Sequence, residues 1–243
     1  MLKKLLKIEK KIFRKIQQTI NIVLRPIGLS LVTNAERSLF TLHEYKKPDG
    51  SFNYQEYKDI QEAGNLKKIA KVAVQKSTIV EICDFLKSRI EKPEFGLCHG
   101  TRRGMEQLWF SQNLDCEVLG TEISKSATDF PNTVQWDFHE KNDDWLGRAD
   151  FVYSNSFDHS YDPQKSLNAW LDQLKIGGFV FIEHNSSHVP EKSTAMDPFG
   201  AVLIAMPYLL HQWAPERFVM APTLIPSSKD GTEVNVFCLK RIT

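Results

Sequence analysis

Two short segments of the chain combine carboxylates with imidazoles. Asp158 and His159 are adjacent in the first segment, and Glu183, His184 and His188 lie close together in the second. An imidazole can take a proton from a hydroxyl group near neutral pH, and a carboxylate can orient it. The same side chains could instead hold a divalent cation such as Mg²⁺, which lowers the pKa of a bound hydroxyl. The two segments predict hydroxyl activation, with His159 as the preferred base and a metal site as the alternative.

Three earlier segments carry residues suited to binding a nucleoside. The segment Cys98–Arg102 contains Gly100, and a glycine turn of this kind lets a ligand approach the backbone. Glu122 follows Gly100 by 22 residues, close to the spacing at which an acid accepts hydrogen bonds from ribose hydroxyls. Asp137 lies between two aromatic residues, so it could accept a hydrogen bond from an exocyclic amine while a ring covers the base.

These residues follow short apolar runs that are typical of buried strands. Helical stretches lie between several of the runs, which predicts a parallel sheet with helices on its faces. Ligands bind outside the carboxyl ends of the strands in such a sheet. Two later strand-like runs flank Asp230-Gly231 and predict a hairpin, hence an antiparallel edge. The five predicted parallel strands are Phe95–Cys98, Glu117–Gly120, Thr133–Trp136, Phe151–Tyr153 and Phe179–Ile182.

Between Phe95 and Arg241 the pattern resembles the class I S-adenosylmethionine-dependent methyltransferases. Residues 98–102 stand at the position of the family's glycine-rich motif, residues 118–124 resemble its ribose-binding segment, and residues 135–137 resemble its adenine-binding segment. The resemblance implies the cofactor S-adenosyl-L-methionine. It also implies a Rossmann-like, doubly wound, mostly parallel seven-stranded sheet with an antiparallel C-terminal hairpin strand. The cofactor-binding residues that it implies are Cys98, His99, Gly100, Thr101, Arg102, Glu122, Ile123, Trp136, Asp137, Phe138 and Asn155.

The strand order of this family places the fourth and fifth strands side by side. The resemblance therefore implies that Asp158 and His159 face one pocket with Glu183, His184 and His188. Asp158, His159, Glu183 and His184 are the implied catalytic residues. All five residues belong to the metal alternative.

The chain departs from the family pattern at the glycine-rich motif. Cys98 and Arg102 replace two of its three glycines, and the usual acid of the first strand is absent. Arg102 could instead bind the carboxylate of the methionine moiety by a bidentate contact. These departures keep open the alternative of a noncatalytic binding protein with the same fold.

The amino-terminal segment is strongly basic. Residues 1–25 carry eight basic residues and one acid, a net charge of +7, so the remaining residues sum to −6. Apolar residues three and four positions apart predict an amphipathic helix that ends at Arg25-Pro26. Such a helix could pack on the body, form a homodimer contact or lie on an anionic membrane surface. The acidic body disfavours nucleic acid as a partner.

The chain has 243 residues and is 42% hydrophobic, enough for a full core. We predict a basic amphipathic helix over residues 1–32, an N-terminal helical region over 33–91 that forms a helical layer, and a methyltransferase domain over 92–243. Within the second region, Tyr54–Val74 has helical spacing, with a predicted break at Gly64-Asn65. No run is long enough to span a membrane, so we predict a cytoplasmic protein that could be peripheral to the inner membrane.

A small methyltransferase with a basic amino-terminal helix resembles enzymes that modify cell-surface glycans. We therefore predict O-methylation of a sugar hydroxyl in capsule or lipopolysaccharide biosynthesis, with a glycan or a nucleotide-linked sugar as the acceptor. Methyl transfer to another small molecule or a lipid head group is the alternative within the same enzyme class.

Overall fold

The computed structural model describes Ile20, residues 38–227, Gly231 and residues 233–243. Residues 39–243 form one compact unit. Its strands are β1 (Phe40–Leu42), β2 (Phe95–His99), β3 (Glu117–Glu122), β4 (Thr133–Gln135), β5 (Ala149–Ser154), β6 (Leu174–Asn185), β7 (Phe199–Ala201), β8 (Phe218–Met220) and β9 (Val234–Arg241). Its α-helices within the described ranges are α1 (Tyr54–Lys67), α2 (Lys76–Lys87), α3 (Met105–Leu114), α4 (Pro163–Gln173) and α5 (Met206–Trp213).

Seven strands form one sheet in the order β4-β3-β2-β5-β6-β9-β8. The first five strands of this order run parallel, whereas β9 is antiparallel to both β6 and β8. The chain builds outward from β2 to β4 and then returns to add β5 beside β2. This reversal opens a crevice at the carboxyl ends of β2 and β5, which is where ligands bind in sheets of this kind. The predicted doubly wound, mostly parallel fold is confirmed.

Apolar side chains cover both faces of the large sheet. Trp170 of α4 and Leu210 of α5 belong to one apolar layer, and Phe110 of α3 belongs to the other. Helix α2 contributes Ile79 and Ile82 to that second layer, at a spacing that places both on one helix face. Full burial of each such side chain contributes about 1.5–3 kcal/mol, so the strand ends are held by a rigid core.

The first helix of the N-terminal region lies across the cleft described below. The predicted break at Gly64-Asn65 is wrong, because α1 runs unbroken from Tyr54 to Lys67. Glycine is tolerated inside this helix because it packs closely on another segment. A Cβ atom on Gly64 would lie 2.2 Å from Met196 Cε. The small residue therefore lets α1 approach the segment around residue 196.

Several boundaries differ from the sequence prediction. Strand β6 has 12 residues, Leu174–Asn185, and is longer at both ends than the predicted strand Phe179–Ile182. Asp230 of the predicted hairpin turn lies outside the described residues, whereas the flanking β8 and β9 are antiparallel. Apart from Ile20, the predicted helix over residues 1–32 also lies outside them. No helix in the described ranges is long and apolar enough to cross a bilayer.

Candidate functional site

A cleft of about 390 Å³ opens at the carboxyl ends of β2, β3 and β5 and beside the residues that follow β4. Six of the eleven predicted cofactor-binding residues line it, together with His159 and three residues of α1. The lining residues are Tyr57, Gln61, Asn65, Gly100, Arg102, Glu122, Ile123, Asp137, Phe138, Ser156 and His159.

Gly100 begins the loop between β2 and α3. Its φ of +76° lies in the left-handed region that favours glycine. Its N–H donates to the carbonyl of Thr121 at 2.9 Å, which fixes the loop to β3. A Cβ atom at this position would lie 2.7 Å from Ser156 Cβ, so the loop passes close to the residues that follow β5.

Glu122 ends β3 and is buried at the floor of the cleft. Its Oε1 accepts hydrogen bonds from Asn65 Nδ2 at 2.5 Å and from the N–H and hydroxyl of Ser124 at 2.9 and 2.6 Å. Its Oε2 accepts one longer bond, from the Arg102 N–H at 3.2 Å. A carboxylate oxygen offers two lone-pair sites, so Oε2 can accept a further hydroxyl from a ligand.

Asp137 follows β4 and lines the adjacent part of the cleft. Its Oδ1 accepts from the N–H of His139 at 3.0 Å and from His139 Nδ1 at 2.6 Å. Its Oδ2 is buried and makes no hydrogen bond within the described ranges. Burial opposes ionisation of Asp137, but the hydrogen bonds from His139 outweigh it and hold the pKa below its usual range. Tyr54 also lowers this pKa, and Oδ2 of the ionised carboxylate can accept from an N–H donor of a ligand.

The structure does not bring the side chains of Cys98, His99 and Trp136 into this cleft. Successive strand residues point to opposite faces, so Cys98 and His99 enter the two apolar layers. Burial raises the pKa of the Cys98 thiol well above its usual range. His99 bonds Thr121 Oγ1 and Gln173 Oε1 through its two ring nitrogens, and burial lowers its pKa to about 4. The indole N–H of Trp136 donates to a backbone carbonyl at 3.0 Å.

A smaller cleft continues from the first and shares Gly100, Arg102 and Ser156 with it. Thr101 and Asn155, two further predicted cofactor-binding residues, line this continuation. Arg102 has a φ of +48°, a conformation that would suit the glycine expected there. Its guanidinium Nη1 donates to the carbonyl of Lys71 at 3.2 Å, and the residue lines both clefts.

His159 also lines the first cleft and lies in a single turn of 3₁₀-helix that follows β5. Gln61 Nε2 donates to the carbonyl of Met196 at 2.8 Å, so its Oε1 faces His159 Nδ1 at 2.8 Å. Since that oxygen only accepts, Nδ1 carries the proton of the neutral ring. The lone pair on Nε2 is then available, and Asp197 Oδ1 lies 3.5 Å from this nitrogen. Nε2 can act as a base.

Asp158 is buried beside His159. Its Oδ2 lies 3.7 Å from His188 Nε2, and its Oδ1 makes no hydrogen bond to any described residue. Asp158, His159 and Asp197 each offer a potential ligand atom, and these atoms lie within 4.8 Å of one another. The three side chains could therefore hold a metal ion. Asp158 and His159 belong to the predicted metal alternative, whereas Asp197 was not predicted.

Glu183 and His184 do not share a pocket with His159. They are adjacent in β6 and therefore point to opposite sheet faces. The hydroxyl of Tyr153 in β5 donates to Glu183 Oε1 at 2.6 Å. Burial raises the pKa of Glu183 to about 7. His184 bonds the carbonyl of Ala201 through Nε2 at 2.9 Å, and burial lowers its pKa. Both side chains hold the fold together.

Sequence reasoning missed Gln61, Asn65 and Asp197. Gln61 and Asn65 lie on α1, and their partners His159 and Glu122 are 98 and 57 residues away in the chain. Local spacing carries no signal for such contacts. Gln61 and Asn65 are four residues apart and thus lie on one helix face. The amphipathic pattern indicates that this face is polar but does not predict its partners.

Solved structures share this architecture. A 1,6-didemethyltoxoflavin-N1-methyltransferase from Burkholderia thailandensis, solved with S-adenosylhomocysteine, matches with a TM-score of 0.60 at 13% identity, covering 83% of this chain and 95% of that one. The plantazolicin methyltransferase BpumL, also with S-adenosylhomocysteine, gives 0.57 at 11% identity over 77% and 98%. The N-methyltransferase NodS from Bradyrhizobium japonicum gives 0.54 at 9% over 75% and 99%.

No protein-family model and no curated protein sequence matches the chain. The likeness at these low identities shows the fold. The chain has the Rossmann-like fold of the class I S-adenosylmethionine-dependent methyltransferases.

Proposed function

We propose that the protein is an S-adenosylmethionine-dependent methyltransferase. One observation carries the proposal: Asp137, Glu122 and Gly100 lie at the carboxyl ends of three neighbouring strands, β4, β3 and β2, and line one cleft. This order matches the order of adenine, ribose and amino-acid chain in the cofactor. The three solved structures named above are of methyltransferases that hold S-adenosylhomocysteine, which supports the proposed activity.

The polar atoms of the cleft fit this cofactor. Asp137 Oδ2, buried without a partner among the described residues, can accept from the exocyclic amine of adenine. Glu122 Oε2 can accept from a ribose hydroxyl, and Phe138 supplies an apolar wall for the base. When bound, S-adenosylmethionine supplies a methyl group on a positively charged sulfur. The chain must hold the acceptor near that group and accept the acceptor's proton.

We propose that His159 accepts this proton. Gln61 holds the ring by Nδ1 and leaves Nε2 free, so the proton of an acceptor hydroxyl can move to Nε2. The imidazolium formed there lies beside Asp197, whose carboxylate stabilises the new positive charge. Asp158 adds a second acidic side chain beside His159. The alternative remains a divalent cation held by these three side chains, with His159 as a ligand.

We propose a sugar hydroxyl of a cell-surface glycan precursor as the acceptor. The imidazole of His159 and the neighbouring carboxylates of Asp158 and Asp197 suit a polyhydroxylated acceptor, because each can accept a hydroxyl hydrogen bond. A small-molecule acceptor of another class is the second candidate. It is favoured by the toxoflavin enzyme, whose structure holds 1,6-didemethyltoxoflavin as well as S-adenosylhomocysteine.

Calorimetry with S-adenosylhomocysteine tests the cofactor assignment. The wild type should bind one equivalent, and Glu122→Ala should weaken binding by about 1–3 kcal/mol because the ribose loses a charged acceptor. The surface variant Asp129→Asn is the matched control and should bind as the wild type does. Absence of binding by the wild type would refute the enzyme assignment. Mass spectrometry of nucleotide-linked sugars and of small heterocycles incubated with S-adenosylmethionine then separates the two acceptor classes.

Cytoplasmic location, a homodimer contact and peripheral membrane contact through residues 1–25 remain predictions. The membrane prediction is supported by the net charge of +7 in that segment. Replacement of Lys3, Lys4 and Lys7 by Gln should weaken binding of the full chain to anionic vesicles without changing affinity for S-adenosylhomocysteine. Vesicle binding unaffected by this change would contradict the prediction.

A further inference from the structure

A buried acid lies in the smaller cleft that continues from the nucleoside site. Glu106 is in the first turn of α3, is only 6% exposed and lines this cleft of about 270 Å³ with Thr101 and Asn155. The hydroxyl of Thr101 is also buried and has no hydrogen-bond partner among the described residues. The cleft therefore contains polar groups whose hydrogen-bonding capacity the protein leaves unused.

Ionisation of Glu106 is disfavoured in the absence of a ligand. Burial raises its pKa to about 8, although its own backbone N–H acts in the opposite direction. Among the described residues, the titratable groups that act on this carboxyl are Glu183, Glu122, Arg102, Tyr153 and Cys98. Only one of these, Arg102, is a cation. An acid in these surroundings gains most from a ligand that brings a positive charge into the cleft.

The order of the first cleft fixes which part of the cofactor reaches Glu106. Asp137 suits the adenine and Glu122 the ribose, so the amino-acid end extends past Gly100 toward the smaller cleft. That end is a zwitterion, which needs an anion for its ammonium group and a cation for its carboxylate. Arg102 lies at the junction of the two clefts, and Glu106 lies beyond it.

We propose that the carboxylate of Glu106 binds the α-ammonium group of the amino-acid end of S-adenosylmethionine, with Arg102 on the α-carboxylate. The inference rests on the proposed function and assigns a second, amino-acid-binding part to the same site. Binding converts Glu106 from the protonated to the ionised form, so the departing proton goes to solvent. Affinity for the amino-acid end is thereby coupled to pH.

Two ligands that differ only at this end test the proposal. S-Adenosylhomocysteine carries the amino acid, whereas 5′-methylthioadenosine has the same adenine, ribose and thioether without it. By calorimetry, Glu106→Gln should weaken S-adenosylhomocysteine binding about 10- to 100-fold and leave 5′-methylthioadenosine binding unchanged. At pH 7 the wild type should release roughly 0.9 proton with the first ligand and none with the second, measured in buffers of different ionisation enthalpy.

Controls separate the possible failures. Glu183→Gln removes the neighbouring buried acid and should keep both the proton release and the difference between the ligands; loss of the release in this variant would overturn the assignment to Glu106. Equal effects of Glu106→Gln on both ligands, or no effect, would also overturn it. If the wild type binds neither ligand, the proposed function itself fails. Melting temperatures of the variants show that each is folded.

Discussion

Gly100 permits a direct test of the close approach between the β2 loop and the residues after β5. Replacement by alanine adds one methyl group in the left-handed region, 2.7 Å from Ser156 Cβ and 2.9 Å from its Oγ. Ser156 cannot simply rotate away. Its N–H donates to Ser154 Oγ at 3.0 Å, and its hydroxyl donates to the Gly100 carbonyl at 3.2 Å.

The expected cost of Gly100→Ala has two parts. A non-glycine residue in the left-handed region costs about 1–2 kcal/mol. Displacement of Ser156 or of the loop adds about 1–3 kcal/mol, as for other overpacked sites. The free energy of unfolding should therefore fall by about 2–5 kcal/mol in total. Gly147 is the matched control: its φ is +64°, but nothing lies within 4 Å of a Cβ there, so Gly147→Ala should cost only the first part.

Urea unfolding monitored by far-ultraviolet circular dichroism measures both costs, provided that the slope m is unchanged. In a Ser156→Gly background the packing part of the Gly100→Ala cost should disappear, while the Gly147→Ala cost stays the same. Gly100→Ala should also weaken binding of S-adenosylhomocysteine, because the shifted loop narrows the cleft. Equal costs for Gly100→Ala and Gly147→Ala in the wild-type background would refute the close approach.

Three further predictions concern titratable groups. Glu106 has a pKa of about 8 in the folded chain and 4.5 in the unfolded chain. Its contribution to the free energy of unfolding should therefore fall by about 1.4 kcal/mol per pH unit between pH 5 and 8. Urea titrations in which Glu106→Gln shows the same pH dependence as the wild type would contradict this. His159→Ala should lower turnover roughly 10²–10⁴-fold with unchanged cofactor affinity and should remove the acidic limb of the pH–rate profile. Activity that is lost in EDTA and restored by Mg²⁺ would instead indicate a metal site. Asp197→Asn should lower turnover less than His159→Ala, since the imidazolium formed by proton transfer loses its neighbouring anion; turnover equal to that of the wild type would exclude this role.

The sequence was informative about the sheet because buried parallel strands appear as short apolar runs between helices. It was less informative where tertiary contacts decide. Strand β1 has three residues, and its pairing of Phe40 with Ala201 joins distant parts of the chain, so no local pattern announces it. Helix α1 continues through Gly64 because packing on Met196 outweighs the low helix propensity of glycine.

The candidate site was predictable where a residue's role depends on its distance from a strand end. Gly100, Glu122 and Asp137 were found in this way, and all three line the cleft. The prediction that Glu183 and His184 face one pocket was wrong, and the alternation of side chains along a strand was sufficient to exclude it. Asn65 of α1 could not be found, because its contact with Glu122 exists only in the folded chain.

Helix α1 lies over the nucleoside end of the cleft, and different contacts hold its two ends. Near its beginning, Tyr57 packs among the rings of Tyr45 and Tyr161, whereas Asn65 near its end holds the ribose acceptor by hydrogen bonds. We expect a nucleoside to enter by local opening of the Asn65 end while the aromatic end stays in place, because the Asn65 end is held to Glu122 by a hydrogen bond. We expect the rate of donor entry and product departure to follow this local opening, so that turnover could be limited by exchange rather than by methyl transfer.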